Sequence, residues 1–434
     1  MSIRCFSVSL FLFVTAAGFS QEITESDPGK RAKAVRDFGR NADSSAIPIL
    51  EKYLKDPAAE VRIEAVKAIV NIGTQRSLDP LIEATRDNDP EVQVRATDGL
   101  VNFYVPGYVR TGLSARLRRI GSSIQGQFTD TNDTVVERYV AEQVRPEIIE
   151  ALGRLASGGA SLEVRANAAR AIGILRGAAA IPDLLKAIRT KDSLVIHEAL
   201  IALRKIRQPG SGAGVAFLVR DLDKKVQLAA IETVGVLRAQ EALDSLRDVF
   251  ERTNDKDVRR AAIAAIAMMP NESVRPLFDQ NLNHRDEEVR AAAAEGLGRL
   301  GRQSDLPKLE QAFERERKMK PRLSLAFALV KLGKTDTGPF SPLTYLVNTL
   351  NSAGYRGIAQ PLLVELCREP KIRQQLYPAR DSWTKDERIG MANVLAVSGD
   401  KDSEAILQAL SMDPDPAVAT EGTRALRTLR ARVQ

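Results

Sequence analysis

HRDEEVRAAAAEGLGRLG, residues 284–301, is an alanine-rich helical stretch that tolerates three glycines, Gly296, Gly298 and Gly301. Val289, Ala292, Ala293, Gly296, Leu297 and Leu300 follow the spacing i, i+3, i+4, i+7, i+8, i+11, which is the stripe of one helical face. A glycine inside a helix costs about 1 kcal/mol relative to alanine. Glycine on the apolar stripe therefore predicts a neighbouring backbone too close to admit a side chain. Asp286 stands where an N-cap acceptor is useful, and Gly301 where a left-handed cap ends the helix.

The same skeleton recurs. Counting from Val289, Arg290 is at +1, Leu297 at +8, Leu300 at +11 and Gly301 at +12. DPAAEVRIEAVKAIVNIG places Val61, Arg62, Ile69, Ile72 and Gly73 in those slots, and SLEVRANAARAIGILRG places Val164, Arg165, Ile172, Leu175 and, slipping at the last slot, Arg176. Anchors at Val61, Val92, Val164, Val195, Val226, Val258, Val289, Pro321, Tyr355, Glu387 and Val418 are 31 to 34 residues apart, save for one longer gap. Asp192, Asp223 and Asp415 repeat the N-cap of Asp286, and Ile181, Leu184, Leu185 and Ile188, with Pro182 in the first turn, supply a second helix. A chain of 434 residues by length alone suggests about three globular domains. The period overrules that, because each unit hides its apolar face only against its neighbours. The expected fold is all-α: an α-solenoid, or superhelix, of antiparallel helix pairs repeating every 31–32 residues.

The pattern D-x-x-V-R-x-x-A-x-x-A-L-G-x-L-G, present as DEEVRAAAAEGLGRLG, resembles HEAT repeats of the short bacterial, phycobilisome-lyase-like type. The resemblance extends from about Pro28 to Val433. It implies stacked helix pairs with the second helices lining a concave face, and it implies no particular activity. In such repeats the +1 arginines, here Arg62, Arg165, Arg259, Arg290, Arg322, Arg356 and Arg388, pair with aspartates of adjacent repeats as a structural ladder. Gln93, Ile196, Gln227 and Ala419 interrupt it, which argues against a ligand-binding stripe along the full length.

The period fails between Val92 and Val164. Residues 102–128, NFYVPGYVRTGLSARLRRIGSSIQGQF, hold Phe103, Tyr104, Tyr108, Arg110, Arg116, Arg118 and Arg119 with no acidic residue among them. Segregated arginines interleaved with aromatics suit an anionic lipid or polymer, or an acidic partner; the alternative is a tolerated insertion with solvated arginines. VRPEIIEALGRL then copies the first-helix skeleton from Val144 to Leu155, leaving no room for a second helix before Val164. A later irregular stretch gathers Tyr345, Tyr355, Tyr377 and Trp383, read as fillers of uneven repeat packing.

MSIRCFSVSLFLFVTAAGFSQE reads as a secretory signal, with Arg4 before an apolar run from Cys5 to Ala17 and cleavage after Gly18 or Ser20. No other stretch is long enough to span a bilayer. The expected organisation is a signal over 1–20, HEAT-like repeats over 21–104, a basic and aromatic insertion over 105–145, regular repeats over 146–335, and irregular then terminal repeats over 336–434. Cys367 alone remains after cleavage, so the mature chain cannot form an internal disulfide, and its place at the end of PLLVELC predicts a buried, inert thiol.

Chemistry is poorly supplied. Aromatics make up 5% of the chain, too few for an ordinary enzyme cleft, and the formal charge of +7 favours anionic partners only mildly. The histidines are His197 and His284 alone, and no CxxC, HExxH or phosphate-loop motif occurs. His197-Glu198 matches one of the several His-Glu pairs by which deoxyhypusine hydroxylase, a HEAT-repeat enzyme, holds iron, but no second pair accompanies it. Ser382-Trp-Thr-Lys385 lacks the companion motifs of an SxxK enzyme, and the Gly210–Gly214 run lacks the strand a dinucleotide loop needs. The reading is therefore an exported, periplasmic or secreted scaffold that binds another protein, with no catalytic residues, cofactor or metal. The alternatives are a binder of an anionic envelope surface through Arg110–Arg119 and an enzyme or enzyme-assembly factor; nucleic acid is disfavoured by export.

Overall fold

The structure, a computed structural model, describes residues 26–107, 140, 143–208 and 210–433. The leader expected over 1–20, and Tyr108, Arg110, Arg116, Arg118 and Arg119, lie outside the described residues. Within the described residues all regular structure is helical, so the chain is an α-solenoid of helix pairs. It divides into two units, one made of residues 26–107 and 144–187 and the other chiefly of 188–433.

In the second unit the first helices of successive repeats stack side by side: Ser193–Ile206, Lys224–Val236, Lys256–Ala267, Glu287–Leu300, Met319–Lys331, Arg356–Leu366, Lys385–Ser398 and Pro416–Val433. Shorter second helices, such as Arg275–Asn281 and Leu306–Arg315, pack against the first helix that follows them. Each element starts and stops where its sequence dictates. Asp192, Asp223, Asp286 and Asp415 accept backbone N–H groups of the first turn at 2.8–2.9 Å, and Gly73 and Gly301 end their helices at φ 59° and 70°.

The glycines of the first helices mark close approaches, against a ring on the apolar stripe and against a neighbouring backbone two positions beyond it. A Cβ on Gly296 would sit 2.4 Å from the ring of Phe278, and one on Gly298 would sit 2.6 Å from the Cα of Ala328 in the next first helix. Gly235, in the equivalent slot two repeats earlier, meets the Cα of Ala265 at 2.9 Å in the same way. Both backbone contacts fall in the C-terminal half of a first helix, where glycine and alanine let neighbouring helices draw together. Leu297, one position away, is fully buried and supplies the apolar area.

The first unit corrects one expectation. Its first helices are Pro28–Gly39, Ala59–Ile72, Pro90–Tyr104 and Leu162–Ile174, stacked in that order. Pro146–Gly158, whose spacing predicts a first helix, instead packs against Leu162–Ile174 and against the following second helix Ile181–Ala187. It is the second helix of the repeat that Pro90–Tyr104 begins. The long gap between Val92 and Val164 is thus one repeat whose two helices are separated by an insertion. An apolar stripe encodes a buried face without encoding which neighbour covers it, so both kinds of helix satisfy the same pattern.

The two ends of that insertion are held together. The Arg145 backbone N–H donates to the Tyr104 hydroxyl at 3.3 Å, and the Arg145 guanidinium pairs with Asp79 at 2.7 Å. Gln93 accepts from the Ala160 N–H at 2.9 Å, and Asn167 donates to Asp98 at 2.9 Å, which closes the stack across the gap.

In the irregular stretch of the second unit, Trp383 is buried in one core with Leu346, Leu362 and Leu376. Tyr345 packs edge-on against Phe313 with centroids 5.8 Å apart, the Tyr377 hydroxyl meets Ser403 Oγ at 2.7 Å, and Tyr355 is exposed.

Candidate functional site

The N-terminal ends of the first helices carry the +1 arginines. A guanidinium in a first turn faces the positive end of the helix dipole and needs compensation. Arg62 receives it from Asp87, with two hydrogen bonds of 2.7 and 2.9 Å, while also donating to the Asp56 carbonyl at 2.9 Å. Arg290 repeats the arrangement with Glu316 at 2.8 Å and the His284 carbonyl at 2.7 Å. Arg31, which lies outside the predicted ladder, does the same with Asp56 at 2.9 and 3.0 Å. Arg388 pairs with Asp413, and Arg356 with Asp386 at 3.1 Å. Three ladder positions use no carboxylate. Arg165 donates to the Ala156 carbonyl at 3.4 Å, Arg259 to the Thr253 carbonyl, and Arg322 lies over the rings of Phe313 and Tyr345 at 4.9 and 5.2 Å. Gln93 and Gln227, which interrupt the ladder, still donate to upstream carbonyls, of Asp87 and Val219, at 2.6 and 3.0 Å.

These contacts match Arg31, Arg62, Arg290, Arg356 and Arg388 with carboxylates, whereas Arg165, Arg259 and Arg322 rest on carbonyls or rings. Asp87 draws the Arg62 guanidinium upward from its ordinary pKa. Burial alone would raise the carboxyls of Asp56 and Glu316, yet hydrogen bonds from Arg31 and Arg290 hold both below the usual range.

The C-terminal ends of the first helices in the second unit carry a different set of cations. At the +12 slot, where Gly73 and Gly301 stand in other repeats, Arg207 and Arg238 adopt the left-handed conformation at φ 56° and 53°. Arg176 in the first unit does likewise at φ 53°. Left-handed backbone costs a non-glycine residue about 1–2 kcal/mol, so arginine is a poor choice for the cap alone.

Around these positions the helix ends converge. Arg299, at the end of Glu287–Leu300, donates to the Ala267 carbonyl of the preceding first helix at 3.2 Å. It reaches Glu365 with bonds of 3.0 and 2.9 Å and Glu295 at 3.1 Å, and lies over the Phe327 ring at 5.0 Å. Burial works against the Arg299 charge, but Glu295 and Glu365 outweigh it and hold the guanidinium above its ordinary pKa. Arg204 pairs with Glu232, and Lys331 with Glu369. Arg238 and Lys331 both lie within Coulombic reach of Glu365. Arg207 lies within reach of Arg368, which belongs to a repeat far along the chain, and of Arg204.

Among the described residues, Arg207, Arg238 and Arg368 make no ion pair, while Arg204, Arg299 and Lys331 are all matched. Burial, followed by repulsion from Arg368 and Arg204, pulls the Arg207 guanidinium below its ordinary pKa. The negative ends of the helix dipoles make such an arrangement tolerable without a carboxylate. Sequence reasoning missed this edge, although Arg176, Arg207 and Arg238 recur every 31 residues.

Other candidates are accounted for locally. Phe103 and Tyr104 stack edge-on at 5.0 Å, both half-buried at the start of the insertion. Cys367 is fully buried, which pushes its thiol up to about 12. Ser382 donates to the Ala379 carbonyl at 2.7 Å and Lys385 pairs with Asp415 at 2.9 Å, so the SxxK spacing assembles nothing. A cavity of about 360 Å³ beside His284 is lined by Arg290 and Glu316, which are paired with each other. Among the described residues no three of His, Cys, Asp and Glu come together as a ligand set, so a site of several His-Glu pairs does not fit. No helix among them is long and apolar enough to cross a membrane.

Residues 16–101, 149–214, 213–278 and 246–330 match the pattern of HEAT repeats, well over half of the chain. The chain belongs to the HEAT-repeat family. Among HEAT-type relatives it is 25% identical over 248 residues to deoxyhypusine hydroxylase-B of Oryza sativa subsp. japonica, covering 56% of this chain and 77% of that protein. It is 28% identical over 152 residues to the bilin biosynthesis protein PecE of a Nostoc species, covering 35% of this chain and 59% of PecE. Among solved structures, the CpcE–CpcF complex of phycocyanin lyase from Nostoc matches 59% of this chain and 94% of the other at 17% identity, with a TM-score of 0.32.

Proposed function

We propose that this HEAT-repeat chain is an exported, non-catalytic scaffold that binds another protein through the surface of its second unit. The observation that supports this reading is the C-terminal edge of the first helices, where Arg207, Arg238 and Arg368 make no ion pair among the described residues, in conformations or positions that no cap requires. A repeat array suits such a task because its contact area grows with each unit. Export rests on the apolar run after Arg4. The test is a photo-crosslinking residue at the exposed Gln240, beside Arg238, or at the exposed Lys256 in the first turn of a helix, in the cells that make the protein. A discrete protein adduct from Gln240 and none from Lys256 is expected. Absence of any adduct, or turnover of a small molecule by the purified chain, defeats the reading.

A second contact is proposed for the insertion, through Tyr108, Arg110, Arg116, Arg118 and Arg119 on an anionic lipid or polymer. Its support is the sequence, where these arginines are interleaved with aromatics and no acidic residue stands among them over 102–128. Vesicle binding that survives both high salt and neutralisation of these arginines removes it.

A further inference from the structure

The free arginines of the second unit have a geometry as well as a charge. Arg207 and Arg238 leave the ends of first helices in successive repeats, and packed helices lie about 8–10 Å apart. An extended polypeptide advances about 3.3 Å per residue, so side chains three positions apart span that interval. Arg368 adds a third guanidinium near Arg207, one helical turn beyond Glu365. The neighbouring guanidiniums already show what they accept, since Arg299 holds Glu365 through paired hydrogen bonds and Arg204 holds Glu232.

We infer that Arg207, Arg238 and Arg368 form the recognition site for an extended acidic segment of a partner polypeptide, whose Asp or Glu residues recur about every third position. The inference rests on the scaffold reading and specifies the chemistry of the partner. Carboxylates spaced in this way meet successive arginines one by one, whereas a compact oxyanion satisfies one pair and leaves the next repeat unmatched. The C-terminal helix dipoles keep the site intact when empty and give way to the ligand's full charges when it binds. Arg299 is a positioning residue here: its bridge to Glu365 holds the end of Arg356–Leu366, and with it Arg368, beside the earlier repeats.

The experiment is fluorescence anisotropy on the full chain with two labelled peptides of equal composition, one built of Glu-Ser-Gly triplets and one with its glutamates in a single block. The triplet peptide is expected to bind more tightly, to weaken steeply with salt, and to lose at least about tenfold in affinity in the combined Arg207→Gln, Arg238→Gln, Arg368→Gln variant. Arg207→Gly with Arg238→Gly removes two of the charges while supplying the residue that the left-handed cap prefers, so the fold is retained and the loss must reappear. Arg86→Gln, an exposed charge in the first unit, is expected to change nothing. Equal affinity for the two peptides, unchanged affinity in the glycine pair, or displacement by equimolar inorganic pyrophosphate overturns the inference. If the Gln240 adduct forms but the triplet peptide fails, the scaffold stands and the acidic partner falls; if the adduct is absent, the scaffold falls.

Discussion

The two ends of the first helices use the same side chain under opposite fields. At the N-terminal end Arg62, Arg290 and Arg388 meet a positive helix terminus, and each is matched by a carboxylate that the chain supplies about one second helix later. At the C-terminal end Arg207 and Arg238 meet a negative terminus and make no ion pair among the described residues, in a backbone conformation that glycine fills elsewhere. The difference separates arginines that hold the stack together from arginines the stack holds ready. Helix direction alone does not make that distinction, since Arg165, Arg259 and Arg322 meet no carboxylate at the N-terminal end and Arg204 and Arg299 meet one at the other; a carboxylate brought up by a neighbouring repeat does.

The comparison is sharpened most by Arg299, a deeply buried cation on the C-terminal side that is paired like a ladder residue. Its side chain is 8% exposed, and Arg299→Ala leaves Glu365 and Glu295 without their main partner, so urea unfolding is expected to show a loss of about 3–5 kcal/mol. A loss below that of any surface arginine would mean that the helix ends do not converge on this bridge. Next comes the opposite edge: Asp87→Ala removes a partly buried partner of Arg62 and is expected to cost about 1–3 kcal/mol in the same assay.

Acid probes the same pairs without mutation. Asp56, Glu316 and Glu365 have carboxyls held below their usual range by arginines, so the stability they contribute is complete above about pH 5 and is lost as pH falls through their lowered values. Thermal melts should fall on that acid limb, and an Asp56→Asn, Glu316→Gln double variant should show a shallower fall. The smallest effect has the opposite sign. Arg238→Gly relieves a left-handed arginine and is expected to stabilise the chain by about 1 kcal/mol while weakening the acidic peptide. A variant that gains stability and keeps full binding would place Arg238 with the solvated surface.

Much of this was legible in the sequence. Local signals sufficed for the caps at Asp192, Asp223, Asp286 and Asp415 and for the left-handed glycines, because each acts within a few residues. Pro146–Gly158 was misassigned because the apolar stripe from Val144 to Leu155 is common to both kinds of helix. The arginines at the C-terminal ends escaped notice for another reason. Arg207 and Arg238 read as slipped glycine caps when each slot is judged alone, and only their recurrence, together with Arg368 brought close from a distant repeat, gives them meaning. The Arg299–Glu365 bridge joins residues 66 apart across an irregular repeat, a separation at which no periodic pattern gives warning.

The junction of Tyr104 with Arg145 has an architectural corollary. Because Tyr104 touches Arg145, Gln93 meets Ala160 and Asp98 meets Asn167, the repeats before and after the insertion are held in register by direct contacts of their own. Such clasps tie a repeat together across a long stretch of chain, so the alignment of the flanking helices is inherited from their own side chains.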